Sequence, residues 1–306
     1  MLHKNNIIAI VILSTLLLGG CNWMSEVSPG NLNDNEEINT EDYYVPVQEY
    51  TGKEYTLPNG KETDRIANEN REEIEEAIKS FFKKEYKTEV KVHNIVGNVD
   101  GATVMVESIG EPHFYTYAVI PINKKTEQIY SEKVFSQEGQ VENAIMAGVY
   151  GMIMEEEFQN LNDLIEKTKN DYNLTGINKE AIPIGADRYS NEHLKVTIFD
   201  DNEFEAIAEE YLENPNRTAD EWKKAFNIDN VAPKDIVIAI NLFMTDQNVE
   251  PNQQAFEHLI KALEQANNIP KGAYAIRLHD NYISKNGSGS KDNSIERAHP
   301  DELLKD

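Results

Sequence analysis

Cysteine is almost missing from this chain. Its 306 residues hold one, Cys21, which excludes an intramolecular disulfide, a C-x-x-C redox pair and a cysteine-built metal cage. Positive charge is also in short supply: 29 Lys and Arg stand against 54 Asp and Glu, a formal net charge of −25. Such a surface repels nucleic acid and anionic lipid, both polyanions, so neither is expected as a partner. The densest acidic groups are Glu72-Glu73 with Glu75-Glu76, Glu155-Glu156-Glu157, and Asp200-Asp201 with Glu203. None has the D-x-[DN]-x-[DN]-G spacing of a calcium loop, and they read as solvated exterior. Also absent are the G-x-S-x-G elbow, the H-E-x-x-H pair and the phosphate-cradling G-x-x-x-x-G-K-[ST] loop. No apolar run beyond the first twenty residues approaches the roughly 20 needed to span a bilayer. The 40% hydrophobic content nevertheless suits one large domain or two small ones. Without disulfides, stability must come from a hydrophobic core.

What is present begins with an address. Lys4, with His3 nearby, precedes an apolar run at residues 7–18, which ends in Leu18-Gly19-Gly20-Cys21. That order is a lipobox. Small residues at 19 and 20 let an extended backbone enter the signal peptidase that cuts before Cys21, and the thiol takes a thioether-linked diacylglycerol. The run is too short for a transmembrane helix. The prediction is a signal peptide at 1–20 and an S-diacylglycerol cysteine at Cys21, with N-acylation of the same residue left open. Two acyl chains suffice for stable anchoring where one does not, which places the mature chain on the outer face of the cytoplasmic membrane.

Residues 21–40 are polar and acidic and read as a flexible stalk, with Asp34, Glu36 and Glu37 repelling one another. A tyrosine-rich segment follows, Tyr43-Tyr44 to Tyr50 and then Tyr55, either an arm docked on the domain's own edge or a recognition strip. Thr63 or Asp64 caps a predicted helix to residue 86, with Ile66, Ile74, Ile78 and Phe82 on one face. Four strands follow, around 90–96, 103–107, 113–120 and 128–135, separated by Gly-, Pro- and Asn-bearing turns. A helix from Val141 changes its apolar stripe at Met154, which means a bend or two helices. Gly148 and Gly151 on it admit a close neighbour.

After a polar connection at 169–192, the second half reads as strands near 194–199, 235–244 and 273–278 and helices at 204–212, 218–226 and from Pro251. The run Ile236-Val237-Ile238-Ala239-Ile240 is apolar enough for burial on both faces. From residue 284 the chain turns low in complexity and is expected to be a disordered tail. The fold class is α+β: an amphipathic helix and antiparallel meander over 41–168, then a mixed half at 193–283 packed on the first.

Few side chains invite chemistry. Strand alternation places His113, Tyr115 and Tyr117 on one sheet face, the candidate polar patch, which a structural histidine between tyrosines also explains. His258 lies beside Glu257, but adjacent helix positions diverge and no second histidine sits one turn away. The sequence therefore yields no catalytic residues, no metal ligands and no cofactor.

Three stretches carry a resemblance: residues 44–52 (YVPVQEYTG), 92–97 (VHNIVG) and 110–116 (GEPHFYT). They resemble an uncharacterised lipoprotein family of bacilli and staphylococci, catalogued as domain of unknown function sixteen-seventy-two. The resemblance extends over nearly the whole mature chain and implies a lipoprotein of a Gram-positive membrane, with no activity attached. The expected function is a non-enzymatic binding or interaction module at the cell envelope, its partners the membrane through the anchor and an envelope protein or cell-wall component. The alternatives are a solute- or metal-binding lipoprotein, or an envelope hydrolase using carboxylates or His113.

Overall fold

Alternating apolar residues build the first three strands of the first sheet near where their spacing predicts them, whereas the fourth, expected over 128–135, is only Gln128–Ile129 and gives way to a 3₁₀ turn at Ser131–Lys133. Strands β2 (Val90–Gly97), β3 (Gly101–Ser108), β4 (Tyr115–Asn123) and β5 (Gln128–Ile129) form an antiparallel meander in that order, after β1 (Tyr44–Pro46) near the start. The structure, a computed structural model, describes residues 43–199, 203–285 and 289–306. The expected signal peptide at 1–20, the expected lipid attachment at Cys21 and the expected stalk at 21–40 lie outside them. β4 alternates buried and half-buried residues, as a strand covered mainly on one face must, whereas β3 is buried along nearly its whole length. Helices α1 (Lys61–Glu69) and α2 (Arg71–Glu85) pack on β2, and the 3₁₀ segment Lys179–Gly185 packs on β2, β3 and β4.

The single helix expected over residues 63–86 is two. Asn70 leaves helical geometry at φ −116°, ψ 32°, and its side-chain amide donates to the Ile66 carbonyl at 2.8 Å. One residue thereby closes α1 and opens α2. The shift of stripe at Met154 is likewise a break between α3 (Gln140–Ile153) and α4 (Glu155–Tyr172). On α3, a Cβ at Gly148 would come within 2.9 Å of the His113 carbonyl oxygen, and one at Gly151 would strike the Tyr189 ring. The two glycines let the helix press directly against two residues that line a cleft described below.

The second sheet has the order β12-β10-β9-β8-β7, with β13 also on β10 and β6 on β9. Its members are β6 (Leu174–Thr175), β7 (Tyr189–Ser190), β8 (Leu194–Ile198), β9 (Ile236–Met244), β10 (Gly272–His279), β12 (Ile295–Arg297) and β13 (Leu303–Lys305). β9 and β10 run parallel and are joined by helix α7 (Gln253–Gln265), the crossover that a parallel pair requires. Helices α5 (Glu203–Glu213) and α6 (Ala219–Ala225) precede β9, and Thr218 with Glu221 forms a capping box on α6. Pro251 stands just before the N-cap of α7, Asn252, rather than in the first turn; the Asn252 carboxamide oxygen accepts from the Gln254 and Ala255 amides.

Two segments near the ends of the described residues are held by strand pairing. The tyrosine arm is strand β1, antiparallel to β11 (Tyr282–Ser284). The segment from 284 onward, expected to be disordered, instead supplies β12 and β13, both antiparallel to β10. Low complexity at 284–294 masks two three-residue strands whose order comes from pairing with an existing edge rather than from their own periodicity.

One buried apolar cluster runs through both halves, from Ile66, Val104 and Ile145 to Ile240, Leu259 and Leu303. A smaller one, Val47, Tyr50, Ala181, Phe243 and Ile283, lies under the docked arm. Among the described residues, no helix is long and apolar enough to cross a membrane.

Candidate functional site

The meander brings two histidines onto one carboxylate. Register places Glu107 of β3 opposite Lys91 of β2 on one side and Tyr115 of β4 on the other. A bulge between Val92 and Ile95 breaks the β2–β3 ladder at His93 and Asn94. His93 Nε2 then donates to Glu107 Oε2 at 2.8 Å, His113 Nε2 donates to Oε1 at 3.0 Å, and the Tyr115 hydroxyl approaches Oε1 at 3.4 Å. Partial burial raises the Glu107 carboxyl, but the hydrogen bonds from His113 and His93 outweigh it and hold the group below its usual range. An ionised carboxylate only accepts, so both imidazoles carry a proton on Nε2. Burial lowers His93 further, against the pull of Glu107.

His113 and Tyr115 meet edge to face, with ring centroids 5.1 Å apart. Tyr117 goes elsewhere and donates to Gln137 at 2.8 Å. The predicted patch is thus two residues of the three. Its partners His93 and Glu107 were missed, because only the cross-strand register reveals them.

His113 and Tyr115 form one wall of a cleft of about 310 Å³; Tyr189, Ser190 and Glu192 form the other, with Lys179 at its edge. The second wall is a tight loop in which Ala186 and Arg188, both non-glycine, take left-handed φ of 45° and 59°. Two contacts hold that geometry. Lys195 Nζ meets the buried Asp187 at 2.6 Å, and Arg188 exchanges backbone hydrogen bonds with Tyr115 (2.6 and 3.0 Å), stitching the two sheets together. Burial pushes the Tyr115 and Tyr189 phenols up to about 12, so both face the cleft as neutral hydroxyls. Ser190 is 8% exposed and its Oγ has no hydrogen-bond partner. A buried hydroxyl left unpaired costs about 1–3 kcal/mol.

A second cleft, of about 250 Å³, shares Lys179 and Glu192 with the first and includes Lys169 and Thr175. Beside it, α4 and the turn before β8 bring Glu166, Glu192 and His193 together, with one ligand atom of each within 4.8 Å of the others. The sequence reading named no metal ligands; these three residues can hold a cation. Burial drives the His193 imidazole down to about 4, with the Lys169 ammonium adding to the effect. Burial raises the Glu192 carboxyl, but its own backbone amide and the neighbouring His193, Lys179 and Lys169 bring it down on balance. Lys169 donates to Glu166 Oε1 at 2.5 Å.

The crystal structure of a DUF1672 family protein from Staphylococcus aureus shares this fold, with a TM-score of 0.67 and 18% sequence identity over 83% of this chain and 96% of that one. No curated protein matches the chain. The sequence profile of the family described as "Protein of unknown function (DUF1672)" matches residues 37–305, and the chain belongs to that family.

Proposed function

We propose that the protein is a lipid-anchored extracytoplasmic binding module that holds a small polar ligand in the cleft between His113 and Ser190 without transforming it. The observation that carries the reading is the cleft itself, which gathers one ammonium, one carboxylate and two neutral phenols from Lys179, Glu192, Tyr115 and Tyr189 beside a Ser190 hydroxyl that is buried and unpartnered. At about 310 Å³ the cleft is at the small end of ligand pockets. The lipobox ending in Cys21 supports the anchored placement.

Hydrolysis is the weaker reading. The histidine–serine pair His279–Ser294, at 2.7 Å, lines neither cleft. Burial drives that imidazole down to about 4, too weak a base for neutral pH, and Ser294 also donates to the Lys291 carbonyl at 3.1 Å.

Native mass spectrometry of the chain extracted from membranes in mild detergent tests the binding reading. The wild type should carry a small polar adduct that Ser190→Val loses; turnover of a peptidoglycan, ester or phosphate substrate would overturn the non-enzymatic assignment. Cys21→Ala should leave an unlipidated precursor shed into the medium, and detergent partitioning like that of the wild type would sink the anchor.

A further inference from the structure

The orientation of His193 can be read from donors that admit no ambiguity. The backbone amides of His193 and Leu194 donate to Asn191 Oδ1 at 2.9 and 3.0 Å. That end of Asn191 is therefore its oxygen, and its NH₂ group is the end that donates to Asn162 Oδ1 at 3.0 Å. Asn162 Oδ1 is thus an acceptor, and His193 Nε2, also 3.0 Å from it, must be an N–H. In a neutral imidazole the lone pair is then on Nδ1.

That lone pair has nowhere to go. His193 is 4% exposed, Nδ1 has no hydrogen-bond partner, and Glu166 Oε1 lies 3.7 Å from it. Nδ1 and Glu166 Oε1 are thus two acceptors 3.7 Å apart, Oε1 already holding the Lys169 ammonium and Nδ1 holding nothing, and a cation placed between them would satisfy both. Ligand atoms bound to one zinc ion at about 2.0–2.2 Å in tetrahedral geometry lie roughly 3.4 Å apart. The observed 3.7 Å, with all three ligand atoms inside 4.8 Å, needs only a small inward movement of the half-exposed Glu166.

We infer that Glu166, Glu192 and His193 bind a divalent transition-metal ion such as Zn²⁺, with Nδ1 of His193 as the nitrogen ligand and Asn162 as the residue that fixes its tautomer. A hydrogen bond from the far ring nitrogen to a fixed acceptor is the usual support of a metal-bound imidazole. One nitrogen with two carboxylates suits zinc or manganese better than calcium or magnesium, which take oxygen ligands. Three protein ligands leave a fourth coordination position free, and one of the three, Glu192, also borders the cleft lined by Thr175 and Lys179. The Lys169 ammonium, now 2.5 Å from Glu166 Oε1, is the counter-cation the metal displaces. The site stands on residues separate from Ser190 and from the anchor, although Glu192 borders both clefts.

Isothermal titration of the EDTA-treated full chain in detergent with ZnCl₂, MnCl₂ and CaCl₂ tests the assignment. We expect one equivalent of Zn²⁺ to bind and Ca²⁺ not to. His193→Gln and Glu166→Gln should each weaken Zn²⁺ binding by about 100-fold or more, and Asn162→Ala, which leaves all three ligands in place, by about 10- to 100-fold. Lys169→Met should strengthen it by roughly 10-fold, since the competing cation is gone. Long-range ¹H–¹⁵N NMR of the wild type provides a readout that does not depend on variants folding: the His193 Nδ1 resonance should move on zinc addition while Nε2 stays protonated. A wild-type chain that takes up no metal, uptake that survives His193→Gln, an unmoved Nδ1 resonance, or an affinity that Lys169→Met leaves unchanged would each overturn the site as drawn.

Discussion

The two histidine clusters on either side of the Glu192 turn solve opposite problems. Around Glu107, two partly exposed imidazoles share one carboxylate, and each Nε2 proton has an acceptor. Around Glu166, one deeply buried imidazole spends its proton on a neutral carboxamide and keeps an unpaired nitrogen facing a carboxylate. The first arrangement completes itself. The second is complete only when a cation, the Lys169 ammonium or a metal, lies within it. Composition does not separate them, since both combine histidine with glutamate; what differs is which ring nitrogen meets the carboxylate.

Acid should expose the contrast most strongly. Burial holds His193 and His279 at about 4 in the fold against an ordinary 6.5, so the unfolded chain binds more protons between those values. Stability is then fully present above pH 6.5 and is lost as pH falls toward 4, by up to about 3 kcal/mol per histidine. Denaturant melts at pH 7 and pH 4.5 measure the loss, and His193→Gln should remove its share; a variant that loses as much stability in acid as the wild type would break the distinction between the clusters.

Removing the shared carboxylate should come next. Glu107→Ala leaves two N–H donors without their acceptor and should cost about 2 kcal/mol, whereas Glu107→Gln, which keeps one carbonyl acceptor, should cost about half that. Equal effects in thermal denaturation would show that the carboxylate does not organise the pair. Gly151→Ala sharpens the comparison from outside either cluster. Its methyl group would displace the Tyr189 ring, costing about 1–2 kcal/mol and reshaping the His113 cleft while sparing zinc uptake at His193. Smallest of all, His113→Gln should cost under about 1 kcal/mol, because the side chain is one-third exposed and glutamine can still donate to Glu107.

How much of this was legible depends on how far apart the interacting residues lie. The meander and the amphipathic helices follow from spacings within one element, and Gly148 and Gly151 correctly marked a close approach; the run from Ile236 to Ile240, expected to be buried on both faces, buries Ile236, Ile238 and Ile240 and leaves Val237 and Ala239 half-buried on the other face. The stop at Asn70 was missed because the apolar spacing continues across it from Ile66 to Ile74; only the capping hydrogen bond ends the helix. Strands β12 and β13 were missed because three-residue segments carry no periodicity, and the edge of β10 orders them. Leu303, expected in a disordered tail, is 9% exposed against the core.

By itself the sequence determined the class of fold, the net negative charge and the single cysteine, because charge, composition and local periodicity are properties of the chain alone. Only the tertiary structure decided that His93, Glu107 and His113 share one centre and that Glu166 on α4 faces His193 before β8. Those encounters depend on a bulge, a register and a loop held in left-handed geometry. A shift of one residue in any of them would turn the same side chains to another face.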